Sequence, residues 1–202
     1  MSTKNLTLIV VAVLILLLGG CGCSGYNNMV KLDETVKSQF GNLQSEYQRR
    51  SDLIPNLVNT VKGAANFEQK TLTDVVEARA HATEAKIDAS NLTPEKMAAF
   101  QQAQGQLGTA LGRLLAVSEN YPTLKATQNF QDLQRNLVEI ENNIQYARRY
   151  YNAVVRDLNT KIQVFPSNII ANMFNFKPRE FFEVSAPVER DAPKVSFGTP
   201  AA

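Results

Sequence analysis

Few residues in this chain are of types that could do chemistry, since it holds one histidine and two cysteines. Glu77 and His81 lie four residues apart on one face of a predicted helix, where they could form a surface ion pair. A Ser-His-Asp or Cys-His site would also need a nucleophile beside His81, and both cysteines lie near the N-terminus. A di-iron bundle site needs a pair of Glu-x-x-His motifs, which the sequence lacks. We therefore expect no catalytic residues, no metal and no cofactor.

Three glycines are spaced as in a motif, in the segment GQLGTALG. Gly105, Gly108 and Gly112 lie within a predicted helix, and no Lys-Ser/Thr follows them, which excludes a phosphate loop. We interpret them as positions where another helix comes close, with a self-association face as the alternative. The net charge of +2 argues against nucleic acid as the main partner, because phosphate binding needs a concentrated basic face.

Charged or polar residues interrupt the apolar faces of the predicted helices, namely Arg50, Glu68, Arg79 and Gln104. An unpaired buried charge is costly, so we expect partners in the last long helix, namely Glu141, Arg148, Arg149 and Asp157. Such pairing would fix the register of the helices. The alternative is a polar pocket for a small ligand, lined by Arg50, Glu68, Arg79 and Arg148.

The helices that must position these residues follow from the apolar spacing after residue 25. The pattern predicts long helices over about 29–50, 52–87, 94–119 and 130–165, and a short helix over 167–173. From Phe130 to Leu158 the apolar residues follow steps of three and four, a heptad seam typical of helices packed at shallow angles. The predicted fold class is all-α, an antiparallel bundle of about four long helices with an N-terminal membrane-anchoring segment and a short C-terminal helix.

The first 25 residues form a unit separate from the bundle. Residues 6–23 carry no charge, and the length of this segment is close to the minimum for a membrane span. We predict a single-pass membrane protein on that pattern. The alternative is a bacterial lipoprotein, because Leu18-Gly19-Gly20-Cys21 resembles a lipobox. Signal peptidase II would then cut before Cys21, whose thiol would carry the lipid, with the bundle outside the cytoplasmic membrane.

The bundle is expected to span residues 26–183. After it, residues 184–202 are rich in proline and small side chains and predict a disordered tail.

The segment YQRRSDLIPNLVNTVKG, residues 47–63, is interpreted as a junction between two helices. Pro55 has no amide hydrogen and would kink a continuous helix. With Asp52 as the N-cap, Pro55 falls at the third helical position, where the missing donor costs little. Arg49 and Arg50 would then close the last turn of the preceding helix.

In this segment and in several others, the sequence resembles the LemA family of bacterial membrane proteins. The matching segments are Tyr26-Asn27, residues 47–63, LGRLLAVSENYPTLKATQNFQDLQ at 111–134, and ENNIQYARRYYNAVVRDLNTKIQVFPSNIIANMFNF at 141–176. The resemblance implies one membrane segment followed by a helical bundle, with no assigned enzymatic activity to carry over. Family-motif residues expected to have structural roles are Tyr26, Arg49, Arg50, Asp52, Pro55, Asn56, Tyr121, Pro122, Arg148, Tyr151, Asn152 and Pro166.

These observations favour a membrane-anchored, non-enzymatic interaction or scaffold protein of the bacterial envelope. Its expected partners are the membrane and an unidentified protein, with homo-oligomerisation left open. The candidate partner surfaces are the polar outer faces, the GQLGTALG strip and the phenylalanine-rich end at 174–182. The alternative is a small-ligand or envelope-stress sensor that uses the polar pocket.

Overall fold

The computed structural model describes the backbone of residues 3–64 and 67–182, and the side chains of these ranges from residue 22 onward. Every regular element in this part of the chain is a helix, as predicted. The helices are α1 (Thr3–Lys62), α2 (Gln69–Glu84), α3 (Pro94–Ser118), α4 (Pro122–Lys125), α5 (Gln128–Gln163) and α6 (Ser167–Met173).

Helix α1 corrects the prediction of a junction at residues 47–63. It has 60 residues, about 90 Å at 1.5 Å per residue, and it continues through Asp52 and Pro55 to Lys62. Pro55 is exposed, so its ring points away from the core. The carbonyl of Ser51, which loses its usual donor to the proline, accepts a hydrogen bond from Arg79 Nε at 2.8 Å. A donor from α2 therefore replaces the missing amide, and the chain breaks only after Lys62.

Helices α2 and α5 pack on α1 as antiparallel neighbours. Contacts between Phe40 and Tyr151, and between Arg50 and Glu141, show that α5 runs antiparallel to α1. The predicted seam of α5 is buried along the helix, at Phe130, Leu137, Ile140, Ile144, Tyr151, Val154 and Leu158. Helix α2 packs against α1 and α3. The α3 start is as predicted, because the Thr93 side chain accepts a hydrogen bond from the Lys96 amide.

The bundle contains two hydrophobic cores along its length. The proximal core, nearer the start of α1, is built from buried residues that include Met29, Val36, Phe40, Leu43, Tyr47, Phe100, Tyr151, Leu158 and Phe182. The distal core is built from Ile54, Leu57, Val58, Val61, Leu72, Val75, Leu107, Leu111, Leu114, Phe130 and Leu137, among others. On α1 and on α3 the two cores are separated by polar residues, Arg50 and Gln104.

The predicted anchor falls largely outside the part of the chain whose side chains are described. Residues 1–21, Cys21 included, lie outside it, and so does the predicted tail at 184–202. Among the residues whose side chains are described, no helix is long and apolar enough to cross a membrane. Helix α1 itself crosses the predicted domain boundary at residue 25 without interruption. The anchor and the lipidation of Cys21 stay predictions.

Candidate functional site

Arg50 is the centre of a polar layer between the two cores. Only 3% of the residue is exposed, and its guanidinium lies 5.1 Å from the centre of the Tyr47 ring. Nη1 donates to Glu141 Oε1 at 2.7 Å, and Nη2 donates to both the side-chain and backbone oxygens of Gln104 at 2.7 and 3.0 Å. Arg50 therefore joins α1, α3 and α5 through charge-assisted hydrogen bonds.

The polar layer extends to α2 on its other side. The Gln104 side chain donates to the Ala82 carbonyl at 3.3 Å, and the hydroxyls of Ser51 and Thr83 lie 3.2 Å apart. Arg79 donates to the Ser51 carbonyl, as described above. Of the pairs predicted with the last long helix, Arg50 with Glu141 is present, whereas Arg79 and Gln104 bond to residues of α1 and α2 instead. Glu68 is not part of the polar layer, because this side chain is exposed at the start of α2 and accepts from Thr71.

A cavity of about 120 Å³ adjoins the polar layer. Its lining includes Arg50, Gln104, Glu141, Arg148 and Phe182. Arg50 Nε is buried and has no hydrogen-bond partner among the described residues. Of the pocket residues predicted from sequence, Arg50 and Arg148 therefore share one cavity, whereas Arg79 and Glu68 do not line it. Hydrogen-bond donors in a small, partly open cavity suit an anion or a carbonyl group.

Burial also affects the tyrosine at this cavity. Desolvation raises the pKa of Tyr47 above its usual value, although the nearby charges of Arg148 and Arg50 act in the opposite direction. Tyr47 is therefore protonated at neutral pH. It contributes packing and a ring face to the cavity and cannot act as a base there.

A second feature, the C-terminal strap at residues 176–182, has no regular secondary structure and lies along α5. Asn152 donates to the Phe182 carbonyl at 3.0 Å and accepts from the Phe182 amide at 2.8 Å. Seven residues further along α5, Asn159 makes the same pair of bonds to the backbone of Arg179, at 2.9 and 2.8 Å. The hydroxyl of Tyr151 donates to the Glu180 carbonyl at 3.0 Å. Side chains of α5 thus hold the strap mainly through its backbone.

Two side chains of the strap, those of Phe182 and Arg179, also fix its position. Phe182 is 3% exposed, and its ring contacts four other rings, those of Phe40, Tyr47, Phe100 and Tyr151. The guanidinium of Arg148 lies 5.6 Å from the centre of the same ring. In the middle of the strap, Arg179 donates to Asp33 on α1 at 2.7 and 3.0 Å. The strap therefore closes the proximal core.

The charge on Asp33 is favoured by this contact. Burial alone would raise the pKa of Asp33, but hydrogen bonds from Arg179 and Lys37 outweigh it and lower the pKa below its usual value. The ion pair between Asp33 and Arg179 is partly buried, with 15% and 22% of the side chains exposed.

The other residues singled out from sequence are spread over the surface. Arg49 and Glu139 form an exposed ion pair at 3.7 Å, and exposed Asp52 accepts a hydrogen bond from Gln48. Asp52 is therefore not an N-cap, and His81 is exposed on α2. The remaining positions are Asn56, exposed on α1; Tyr121, packed on Phe67; Pro122, the first residue of α4; Pro166, between α5 and α6; and Tyr26, packed on Phe174 and Phe176.

The glycine strip differs from its predicted role. Space beside Gly105 and Gly112 is open, with no heavy atom of another element within 4 Å of an added Cβ. Only Gly108 approaches another helix, where an added Cβ would lie 3.8 Å from Arg50 Nη1. The close helix approach predicted for all three glycines is therefore wrong at Gly105 and Gly112.

Sequence reasoning missed Asn159, Arg179 and Asp33. The available signal was the spacing of Asn152 and Asn159, which at seven residues apart lie on one face of a helix. No group of three or more His, Cys, Asp or Glu residues in the described part of the chain is placed to hold a metal ion.

The fold and the site define an α-helical bundle that is built on one long N-terminal helix. The model of the LemA family matches residues 39–197, and the chain belongs to this family. Magnetosome proteins MamQ 1 and MamQ 2 of Paramagnetospirillum magneticum are each 30% identical to the chain over 175 residues, which cover 78% of the chain. The chain spans 64% of the length of these relatives. Protein LemA of Metamycoplasma hominis is 23% identical over 159 residues, covering 79% of the chain and 69% of that protein.

Proposed function

We propose that the chain is a membrane-anchored, non-enzymatic interaction protein of the bacterial cell envelope. The observation that carries the proposal is the continuity of α1, which begins in the predicted membrane segment and supplies residues to both cores. A bundle joined to its anchor by an unbroken helix is held at a fixed distance from the membrane. The relatives named as magnetosome proteins support a role at a bacterial membrane.

The outer face of α5 offers a surface for a protein partner. Tyr146 and Tyr150 are 65% and 47% exposed, and their rings stack nearly parallel at 6.4 Å between centres. Val138, also exposed, lies on the same helix. Exposed tyrosines of this kind supply large contact area at low entropic cost and are enriched where binding energy concentrates.

In-cell photo-crosslinking tests this proposal. A photoreactive amino acid at Tyr146 or Tyr150 should give a discrete crosslinked product in the membrane fraction, identified by mass spectrometry. The matched control is the same amino acid at Asn136, which is exposed on α5 but outside the tyrosine pair. The interaction role is contradicted if both tyrosine positions give only the uncrosslinked chain, and the anchor is contradicted if the chain fractionates without the membrane.

The cavity beside Arg50 favours a second candidate, a sensor of a small ligand. Its specific support is the buried Arg50 Nε, which has no hydrogen-bond partner in the described part of the chain, in a cavity also lined by Arg148. Combined substitution of Arg50 and Glu141 separates the two roles. A ligand pocket predicts that the unchanged chain binds phosphate or acetate, measured calorimetrically, and that the variant does not. A purely structural pair predicts loss of stability and no binding in the unchanged chain.

A further inference from the structure

Exposed apolar side chains are concentrated at one end of the bundle. Six of the eleven large apolar residues that are exposed in the described part of the chain lie there, and together they are called the terminal apolar patch: Tyr26, Val164, Phe165, Ile169, Met173 and Phe174. Phe165 and Met173 are 79% and 73% exposed. A concentration of exposed apolar side chains of this kind is unusual on a water-soluble surface and indicates a contact with another apolar phase.

Helix α6 packs one face against the bundle, and its opposite face is apolar and exposed. Ser167 and Ala171, four residues apart, are 5% and 0% exposed and face the bundle. Ile169 and Met173, also four apart, lie on the opposite side and are exposed. Helix α6 thus buries the small side chains of Ser167 and Ala171 and leaves the large Ile169 and Met173 exposed. This is the reverse of what burial in the bundle alone would favour.

The patch lies beside the start of the bundle on α1. A Cβ added at Gly25 would lie 2.5 Å from Ile170 Cδ1, so α6 packs directly on this glycine. The ring of Tyr26 contacts Phe174 and Phe176, at 4.6 and 5.8 Å between centres. The predicted membrane segment, residues 6–23, ends at Cys23. At 1.5 Å per residue, Tyr26 lies only about 5 Å further along the helix axis.

This distance matches the thickness of a membrane interface. The headgroup region adds roughly 5–8 Å on each side of the hydrocarbon core, and amphipathic helices lie about 5–10 Å into this zone. Aromatic residues are enriched at the same level. Between Asp157 and Glu180 the charged residues are Lys161, Lys177 and Arg179. Arg179 is paired with Asp33, so Lys161 and Lys177 are the cations that suit anionic headgroups.

We propose that the terminal apolar patch lies in the lipid headgroup region, with Phe165, Ile169 and Met173 inserted at the boundary of the acyl chains. The inference rests on the proposed membrane anchor, and it holds for a spanning helix or a lipid on Cys21 alike. In this arrangement the bundle contacts the bilayer at two points, the anchor and α6, and these contacts set its orientation relative to a bilayer of given thickness.

A single tryptophan can report the depth of the patch, because the chain contains no tryptophan. The full-length chain carrying Phe165→Trp is reconstituted in phosphatidylethanolamine–phosphatidylglycerol vesicles that contain doxyl-labelled lipid. We expect blue-shifted emission, strong quenching by doxyl groups near the headgroups, and iodide quenching at least about threefold weaker than at an exposed control site. Ile169→Trp provides a second reporter if the first variant does not fold.

The matched control is Tyr146→Trp, at an exposed position of α5 outside the patch. The inference is overturned if Phe165→Trp and Ile169→Trp emit and are quenched like the control while the chain stays in the vesicles after a carbonate wash; the anchor then stands. Shielding from iodide without lipid quenching also overturns it, because another protein surface then covers the patch. Release of the chain by carbonate overturns the anchor and the inference together.

Discussion

The proximal and distal cores are built differently, although α1 and α5 contribute to both. The proximal core is rich in aromatic rings, and its last ring, Phe182, comes from a strap without regular structure. The distal core is mostly aliphatic and is formed by side chains of regular helices. The distal core therefore depends only on the apolar faces of its helices. The proximal core also depends on the strap, which comes from a distant part of the sequence and packs Phe182 into it. We expect the proximal half to open first when the strap is weakened.

The largest effect is expected from Phe182→Ala. Loss of a fully buried ring should lower the free energy of unfolding by about 3–4 kcal/mol. Hydrogen exchange should accelerate in the proximal half, around Phe40 and Tyr151, more than in α2 and the distal part of α3. Phe181→Ala is the matched control, because Phe181 is 42% exposed, and it should cost less than about 0.5 kcal/mol. Equal acceleration in both halves would show that the cores do not open separately.

Arg50→Ala should have the next largest effect, and it should act on both halves. Gln104 is buried and would lose its charged donor, while Glu141 is partly exposed and can regain water. We expect a loss of about 2–3 kcal/mol, measured by denaturant unfolding followed by circular dichroism. Arg49→Ala removes an adjacent exposed arginine and should change stability by less than about 1 kcal/mol. Similar losses for the two variants would argue against the polar layer as a structural joint.

Arg79 and Pro55 allow a smaller and more specific test on the distal side. Arg79→Ala removes the donor to the Ser51 carbonyl and should cost about 1–2 kcal/mol. In a Pro55→Ala background the backbone amide can fill that role, so the same change should cost less, with a coupling of about 1 kcal/mol in a double-mutant cycle. Additive effects would show that Arg79 does not substitute for the amide missing at Pro55.

The smallest expected effect depends on pH and concerns the proximal half. Because the folded-state pKa of Asp33 is lowered, its ion pair with Arg179 stabilises the fold above the usual aspartate pKa, and this stability is lost as pH falls through the folded pKa. Asp33→Asn should cost about 1 kcal/mol at pH 7 and make little difference below about pH 3. Denaturation midpoints of both chains across this range give the measurement. A constant difference at all pH values would exclude the ion pair as its cause.

Much of the distal core and of α5 could be predicted from the sequence, because local periodicity determines which helix face is buried. The heptad seam and the Thr93 cap are local signals of that kind. The continuation of α1 through Pro55 could not be predicted, since the compensating donor, Arg79, comes from another helix 24 residues further along the chain. The strap has no periodicity at all. Its position depends on hydrogen bonds from the side chains of Asn152 and Asn159 to its backbone. Secondary-structure propensities do not predict such contacts.

Because α1 is long, a small change of tilt at one end produces a large displacement at the other end. Lys62 lies 39 residues beyond Cys23, about 58 Å along the axis of an unbroken helix. With the proposed membrane anchor, a tilt of about 10° at the membrane would move that end sideways by about 10 Å. Since both cores pack on α1, the bundle would swing with it as one body. A change in bilayer thickness that alters the tilt of the N-terminal segment would therefore appear, enlarged, as a displacement at the far end of the protein.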